Sequence, residues 1–331
     1  MSYTQEFLNV LFEANPVYTK ESILDFKSLP EGTPTTAYSS FIYQNVSDPK
    51  NPFRIEPFEL FLLKTDEPNA FAFEKDGLYI IGIHLSLFKL PETKIRKKVP
   101  LIKEPALSLI TKVEKCTPLR VDFLMYQFIT LFTYYHELAH LNQLRHAGKN
   151  SMSLFEKYNL VEGKEFDRIS HAMEIDADLF ATQQVTFHVL QYWSDFAPEQ
   201  KNKENLEAFI SMVSASIFLF FFELTGGWQD LYLLEYDHPH PLIRISYITD
   251  AIANLAAEEI EDANQKPSKE KCVLDALIIA QQLLTNGKQD GLHEYIQIYK
   301  KYQQDIGDYV KKEMGPFSKS LDFLIPNWYN K

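Results

Sequence analysis

Apolar residues run almost without a break from Phe123 to Tyr135, and neither Gly nor Pro interrupts the chain before His136. The stretch reads as the first half of one long helix that passes through a core. A second apolar run, Ala208 to Phe222, lies between Glu207 and Glu223. At about 15 residues it is short for a bilayer span and reads as a core helix, with a membrane-touching role for 208–222 as the lesser alternative. Phe58–Leu63 and Leu78–Ile83 are shorter runs rich in aromatic and branched residues, which marks them as strands. Lys75-Asp76-Gly77 forms a hairpin-like turn ahead of the second.

Helical patterns also cover Gln5–Ala14, Ile169–Trp193, Arg244–Leu255, Cys272–Leu284 and Leu292–Gln303, whereas Pro30, Gly32, Pro34, Pro49 and Pro52 make the N-terminal region rich in turn formers. Lys266-Pro267-Ser268-Lys269 reads as a linker, and no internal repeat is present. The expected class is α+β, mainly helical, with a small sheet ahead of the long helix. The expected division is an N-terminal segment 1–55, a central domain 56–265 and a C-terminal helical segment 266–331.

His136-Glu137-Leu138-Ala139-His140 continues the long helix. A helix turns about 100° per residue, so the two imidazoles fall on one face, one turn apart, where they can chelate zinc. Glu137 then stands beside the open coordination position, able to take a proton from water and deliver it to a leaving amine. A third protein ligand is required, and two residues compete for that place. His146 occupies the position of the last histidine of the pattern HExxHxxGxxH, but Gln143 stands where that pattern has its helix-breaking glycine. A helix that simply continues would turn His146 roughly 120° away from His140. Glu174 and Asp178 lie four apart in His171-Ala172-Met173-Glu174-Ile175-Asp176-Ala177-Asp178-Leu179-Phe180-Ala181. On a helix they share a face, so Glu174 can bind zinc while Asp178 orients an imidazole. The apolar residues around them favour a packed helix and make Glu174 the preferred ligand.

These motifs resemble the gluzincin metallopeptidases, most closely the M48 family. Its HExxH matches His136 to His140 and its ExxxD matches Glu174 to Asp178. Its Asn-Ala-Phe-Ala segment matches Asn69-Ala70-Phe71-Ala72, which runs toward the strand at Leu78. The family's His-Pro pair, with an Arg six residues after the His, matches His238-Pro239 and Arg244; a second pair, His240-Pro241, leaves the choice of histidine open. The resemblance covers roughly residues 60 to 250 in order. It implies a zincin-like fold, with Asn69 and Ala70 presenting the substrate backbone. It also implies that His238 or Arg244 lies beside the oxyanion formed when water attacks a peptide carbonyl. Arg244 as a plain partner of an acidic side chain is the alternative. Familiar members carry membrane spans that this sequence lacks, and a looser resemblance to soluble phage-exclusion peptidases keeps a defence role open.

Composition narrows the partners. Hydrophobic residues at 45% and charged residues at 24% fit a folded chain, and a formal net charge of −12 argues against nucleic acid. The one basic cluster, Lys94, Arg96, Lys97 and Lys98, reads as a solvated loop. With only Cys116 and Cys272, no disulfide framework is implied, and the N-terminus shows no secretory pattern, so a cytoplasmic location is expected. The expected activity is that of a zinc-dependent endopeptidase acting on a protein or peptide. The rivals are a noncatalytic interaction protein stabilised by zinc and a protease that waits for an effector.

Overall fold

A computed structural model describes residues 3–14, 18–66, 68–147, 168–225, 230–233, 236, 238–285 and 294–319. Part of the helix expected at Leu292–Gln303 therefore lies outside the described residues. The class is α+β: helices dominate and one four-stranded mixed sheet accompanies them. The contacts gather into two compact units. One comprises the chain up to Leu90 together with the segment that begins at Thr133; the other comprises Pro91–Phe132 and the later helices.

In the first unit, α1 (Gln5–Ala14) buries Phe7, Leu8 and Leu11, whose spacing puts them on one helical face against Phe61, Leu63 and Ile80 of the sheet. The strands are β1 (Ile23–Leu24), β2 (Phe58–Leu63), β3 (Ala70–Lys75) and β4 (Leu78–His84), in the order β1-β2-β4-β3. β2 runs parallel to β4, and the two outer pairings are antiparallel. The expected turn is a two-residue hairpin: Lys75 pairs with Leu78, and Asp76 and Gly77 both take positive φ, as a right-twisted hairpin requires. β3 forms one edge of the sheet. Across from it, Gly82 of β4 lies directly under the rings of Phe71 and Phe61, where a Cβ has no room.

α2 (Pro34–Ser47) falls in the region expected to be turns. Thr33 caps it by accepting a hydrogen bond from the Thr36 N–H, and Pro34 occupies the first helical position, where its missing N–H costs nothing. α3 (Leu85–Leu90) follows β4.

The second unit begins with a π-helical turn, Pro91–Arg96, where a loop was expected; Lys94, Arg96 and Lys97 are exposed, as expected of a solvated cluster. Ile95 is buried there, Lys94 pairs with Glu223 at 3.1 Å and Arg96 pairs with Asp122 at 3.1 Å. α4 (Ala106–Cys116) precedes α5 (Val121–Ala147), whose residues up to Phe132 belong to this unit and whose later residues belong to the first. α6 (Arg168–Asp195), α7 (Lys203–Leu224), α8 (Pro241–Glu258), α9 (Lys269–Leu284) and α10 (Glu294–Asp308) complete it, with a π-helical turn at Tyr309–Met314.

α7 is the axis of this unit: α4, α6, α8 and α9 all pack on it. It is the one described helix long and apolar enough to cross a membrane, yet 89% of its apolar window is buried inside the protein, as a core helix requires. Phe128 of α5 and Tyr192 of α6 both meet Phe209 of α7 edge-on, at 5.7 and 5.8 Å between centroids. Glu207, buried on α7, accepts the Ser268 N–H at 2.9 Å and so ties the linker before α9 to this helix.

Candidate metal centre

The histidine pair sits where α5 is best anchored within the first unit. Tyr134 donates to the side-chain oxygen of Asn45 on α2 and stacks edge-on with Phe41, while Arg145 donates to the Arg54 carbonyl at 3.1 Å. Leu138, Ala139 and Leu141 are fully buried, so the intervening positions lock the rotation of the helix and leave no freedom in which way His136 and His140 point. Their rings are perpendicular with centroids 4.6 Å apart, and the two Nε2 atoms stand 3.0 Å from each other.

His140 Nδ1 lies 2.9 Å from Oε1 of the buried Gln143. An amide oxygen can only accept, so Nδ1 carries the proton and Nε2 keeps its lone pair, the tautomer that a metal ligand needs. Gln143, noted in the sequence only as a missing glycine, thus prepares the donor atom. Glu137, the residue after His136, is buried. His146 is exposed on a helix that runs on to Ala147 without bending back, as a position six residues beyond His140 should be.

The acidic pair lies on α6 as expected, with Ala177, Phe180 and Ala181 buried around it. Asp178 is fully buried and accepts two hydrogen bonds from one guanidinium, from Arg244 Nε at 2.8 Å and Nη2 at 2.6 Å. Tyr247 donates its hydroxyl to the same carboxylate, and the Arg244 guanidinium lies 3.6 Å above the Phe221 ring. Burial by itself would lower the pKa of Arg244, but Asp178 and Glu174 outweigh it and hold the guanidinium charged beyond its ordinary range. Burial, then the Asp178 charge, pushes Tyr247 far above the usual phenol value, so it remains a donor. Arg244 therefore acts here as the partner of an acidic side chain. Tyr247 and Phe221 join the cluster without any local signal in the sequence.

Glu174, one turn before Asp178, is 12% exposed. Its Oε2 stands 3.6 Å from Arg244 Nη2 and its Oε1 stands 3.5 Å from Nε2 of the half-exposed His238. The two His-Pro pairs separate cleanly. His240 is buried and caps α8, its Nδ1 accepting the Leu242 N–H at 3.0 Å, with Pro241 at the first helical position. His238 is the histidine that faces the acidic motif. Asn69 and Ala70 open the edge strand β3, where Asn69 Oδ1 accepts the Ala70 N–H at 2.9 Å and the Asn69 carbonyl accepts the His84 N–H at 2.9 Å. No family model, curated protein or solved structure matches this chain.

Proposed function

We propose that this chain is a zinc-dependent endopeptidase of zincin-like architecture acting in the cytoplasm, with His136, His140 and Glu174 as the metal ligands. One observation carries the reading: on one face of α5 the Nε2 atoms of His136 and His140 stand 3.0 Å apart, two donors poised for one ion, and the acidic motif of α6 supplies Glu174 as the third. Two imidazoles and a carboxylate are a donor set suited to catalytic zinc, and the Gln143 hydrogen bond leaves His140 in the ligating tautomer. Two Nε2 atoms at 3.0 Å fit the same reading, since facing lone pairs repel unless a proton or a cation lies between them.

Bound there, zinc would bring the pKa of a water toward neutrality and polarise a peptide carbonyl. Glu137 takes the proton of the attacking water on its carboxylate and returns it to the leaving amine, as general base and then general acid. His238, half-exposed beside Glu174, donates to the developing oxyanion. Arg244 and Tyr247 neutralise Asp178 and hold α6 and α8 together, so that Glu174 keeps its orientation while the substrate comes and goes. The open side of β3, beginning at Asn69 and Ala70, offers backbone groups to an extended peptide. The free, buried state of Cys116 and Cys272 fits a reducing compartment.

Glu137→Gln tests the assignment. The variant should bind zinc as the wild type does and hydrolyse nothing, whereas loss of zinc in step with the substitution would make Glu137 a structural residue.

A further inference from the structure

His171 is fully buried on α6, one turn before Glu174, and both of its ring nitrogens are engaged. Nδ1 meets the Tyr309 hydroxyl and Nε2 meets the backbone carbonyl of Tyr236. The carbonyl can only accept, so Nε2 carries the proton and Nδ1 accepts from Tyr309. Burial, reinforced by the charge of Glu313, raises the Tyr309 phenol above its ordinary range and keeps it a donor. His171 thus joins α6, the Tyr309–Met314 turn and the segment that leads into α8.

That segment carries His238. It is anchored at its far end by His240, which caps α8, and the Tyr232 ring packs between Tyr236 at 4.3 Å and His240 at 4.8 Å. Tyr236 and His238 are two positions apart in the chain, a reach of at most ~7 Å, and His171 and Glu174 are three positions apart on one helix, a rise of ~4.5 Å. The tether and the His238–Glu174 contact are therefore parallel, neighbouring rungs between the same two pieces of chain. The His238 side chain is itself 54% exposed, so the position of its backbone bears on where the imidazole lies.

We infer that His171 is a positioning residue for the proposed site: by holding the Tyr236 carbonyl against α6, it presents His238 to Glu174. The inference rests on the metal-site reading for its purpose but not for its test. His171→Phe keeps a ring and loses both hydrogen bonds. His171→Gln keeps both, since an amide N–H can donate to the carbonyl while its oxygen accepts from Tyr309.

Amide hydrogen exchange on the whole protein should quicken about tenfold across 232–240 in His171→Phe, the effect of losing one or two buried hydrogen bonds, with α7 unchanged; His171→Gln should restore the wild-type pattern. Unchanged exchange in 232–240, or an equal rise in every helix, overturns the clamp. Should His171→Phe fail to fold, the smaller His171→Leu, which also loses the bond to the Tyr236 carbonyl, carries the same comparison.

A second readout is the visible absorption of cobalt(II)-substituted protein. His171→Phe and His238→Ala should alter it in the same way, and the double variant should alter it no further. Additive changes would overturn the assignment. Failure of the wild type to take up cobalt would sink the metal-site reading instead, leaving the exchange experiment to decide the clamp.

Discussion

Replacing Arg244 by Met should be among the most damaging single changes in the second unit, although it removes only one polar group. The guanidinium makes two charge-assisted hydrogen bonds to Asp178 and lies over the Phe221 ring, and Asp178 has no exposed surface. Met preserves much of the stem volume, so the loss is electrostatic and leaves a buried carboxylate that still accepts from the Tyr247 hydroxyl but has lost its counter-charge. Removing one partner of a buried ion pair costs roughly 3–5 kcal/mol. With a typical urea dependence, that shifts the unfolding midpoint down by roughly 1–3 M. The assay is equilibrium urea unfolding with a chelator present throughout, so that differences in metal occupancy do not enter. The double variant Arg244→Met/Asp178→Leu should recover much of the loss, because exchanging both charges for apolar groups is close to neutral. A cost for Arg244→Met below about 1 kcal/mol, or a double variant worse than the sum of the singles, would refute the buried pair as the element that ties α6 to α8.

Gly82→Ala should destabilise the sheet by about 1–3 kcal/mol in thermal unfolding, because its new methyl group would press into the Phe71 and Phe61 rings; an unchanged midpoint would contradict that packing. Cys272, its thiol pushed up to about 12 by burial and then by the Glu207 charge, should resist a disulfide reagent in the native protein. Its thiolate fraction near pH 8 is ~1 in 10⁴, and rapid native labelling would show α9 to be open. Burial lowers the pKa of His188, so the folded state resists its protonation. Its contribution is present above the ordinary histidine value of about 6.5 and is lost as pH falls through the lower folded value. His188→Asn should therefore lose less stability than the wild type between about pH 8 and about pH 5, and equal losses would count against the assignment. Gln143→Leu should weaken zinc binding by about 10–100-fold while leaving one equivalent bound at saturation. An unchanged affinity would remove Gln143 from the centre.

The long elements were legible because their patterns are uninterrupted. α5, α6 and α7 each continue for several turns without Gly or Pro, and β2 and β4 concentrate aromatic and branched residues in runs of strand length. α2 was not legible, since its Pro34 counts as a turn former until Thr33 before it is recognised as a cap. The same rule would have separated the two His-Pro pairs. Pro241 at the first helical position marks His240 as the capping residue and leaves His238 for the site, and α8 accordingly begins one turn earlier than the pattern placed it. Gln143 also had a local signal, three residues after His140 on the same helical face. Phe221, Tyr247 and Tyr309 had none. They reach the acidic motif or the clamp from distant parts of the chain, and only tertiary packing brings them there. Likewise, the ion pairs that the solvated basic cluster makes had no signal, because the partners, Asp122 and Glu223, lie far along the sequence.

The proposal that His136, His140 and Glu174 are joint ligands of a catalytic metal ion is decided by elemental analysis of the wild type, Glu174→Ala and His146→Ala, purified without added zinc. One zinc per chain is expected in the wild type and in His146→Ala, and its loss in Glu174→Ala. Retention in Glu174→Ala with loss in His146→Ala would transfer the third ligand to the end of α5, and a wild type without metal would contradict the claim outright.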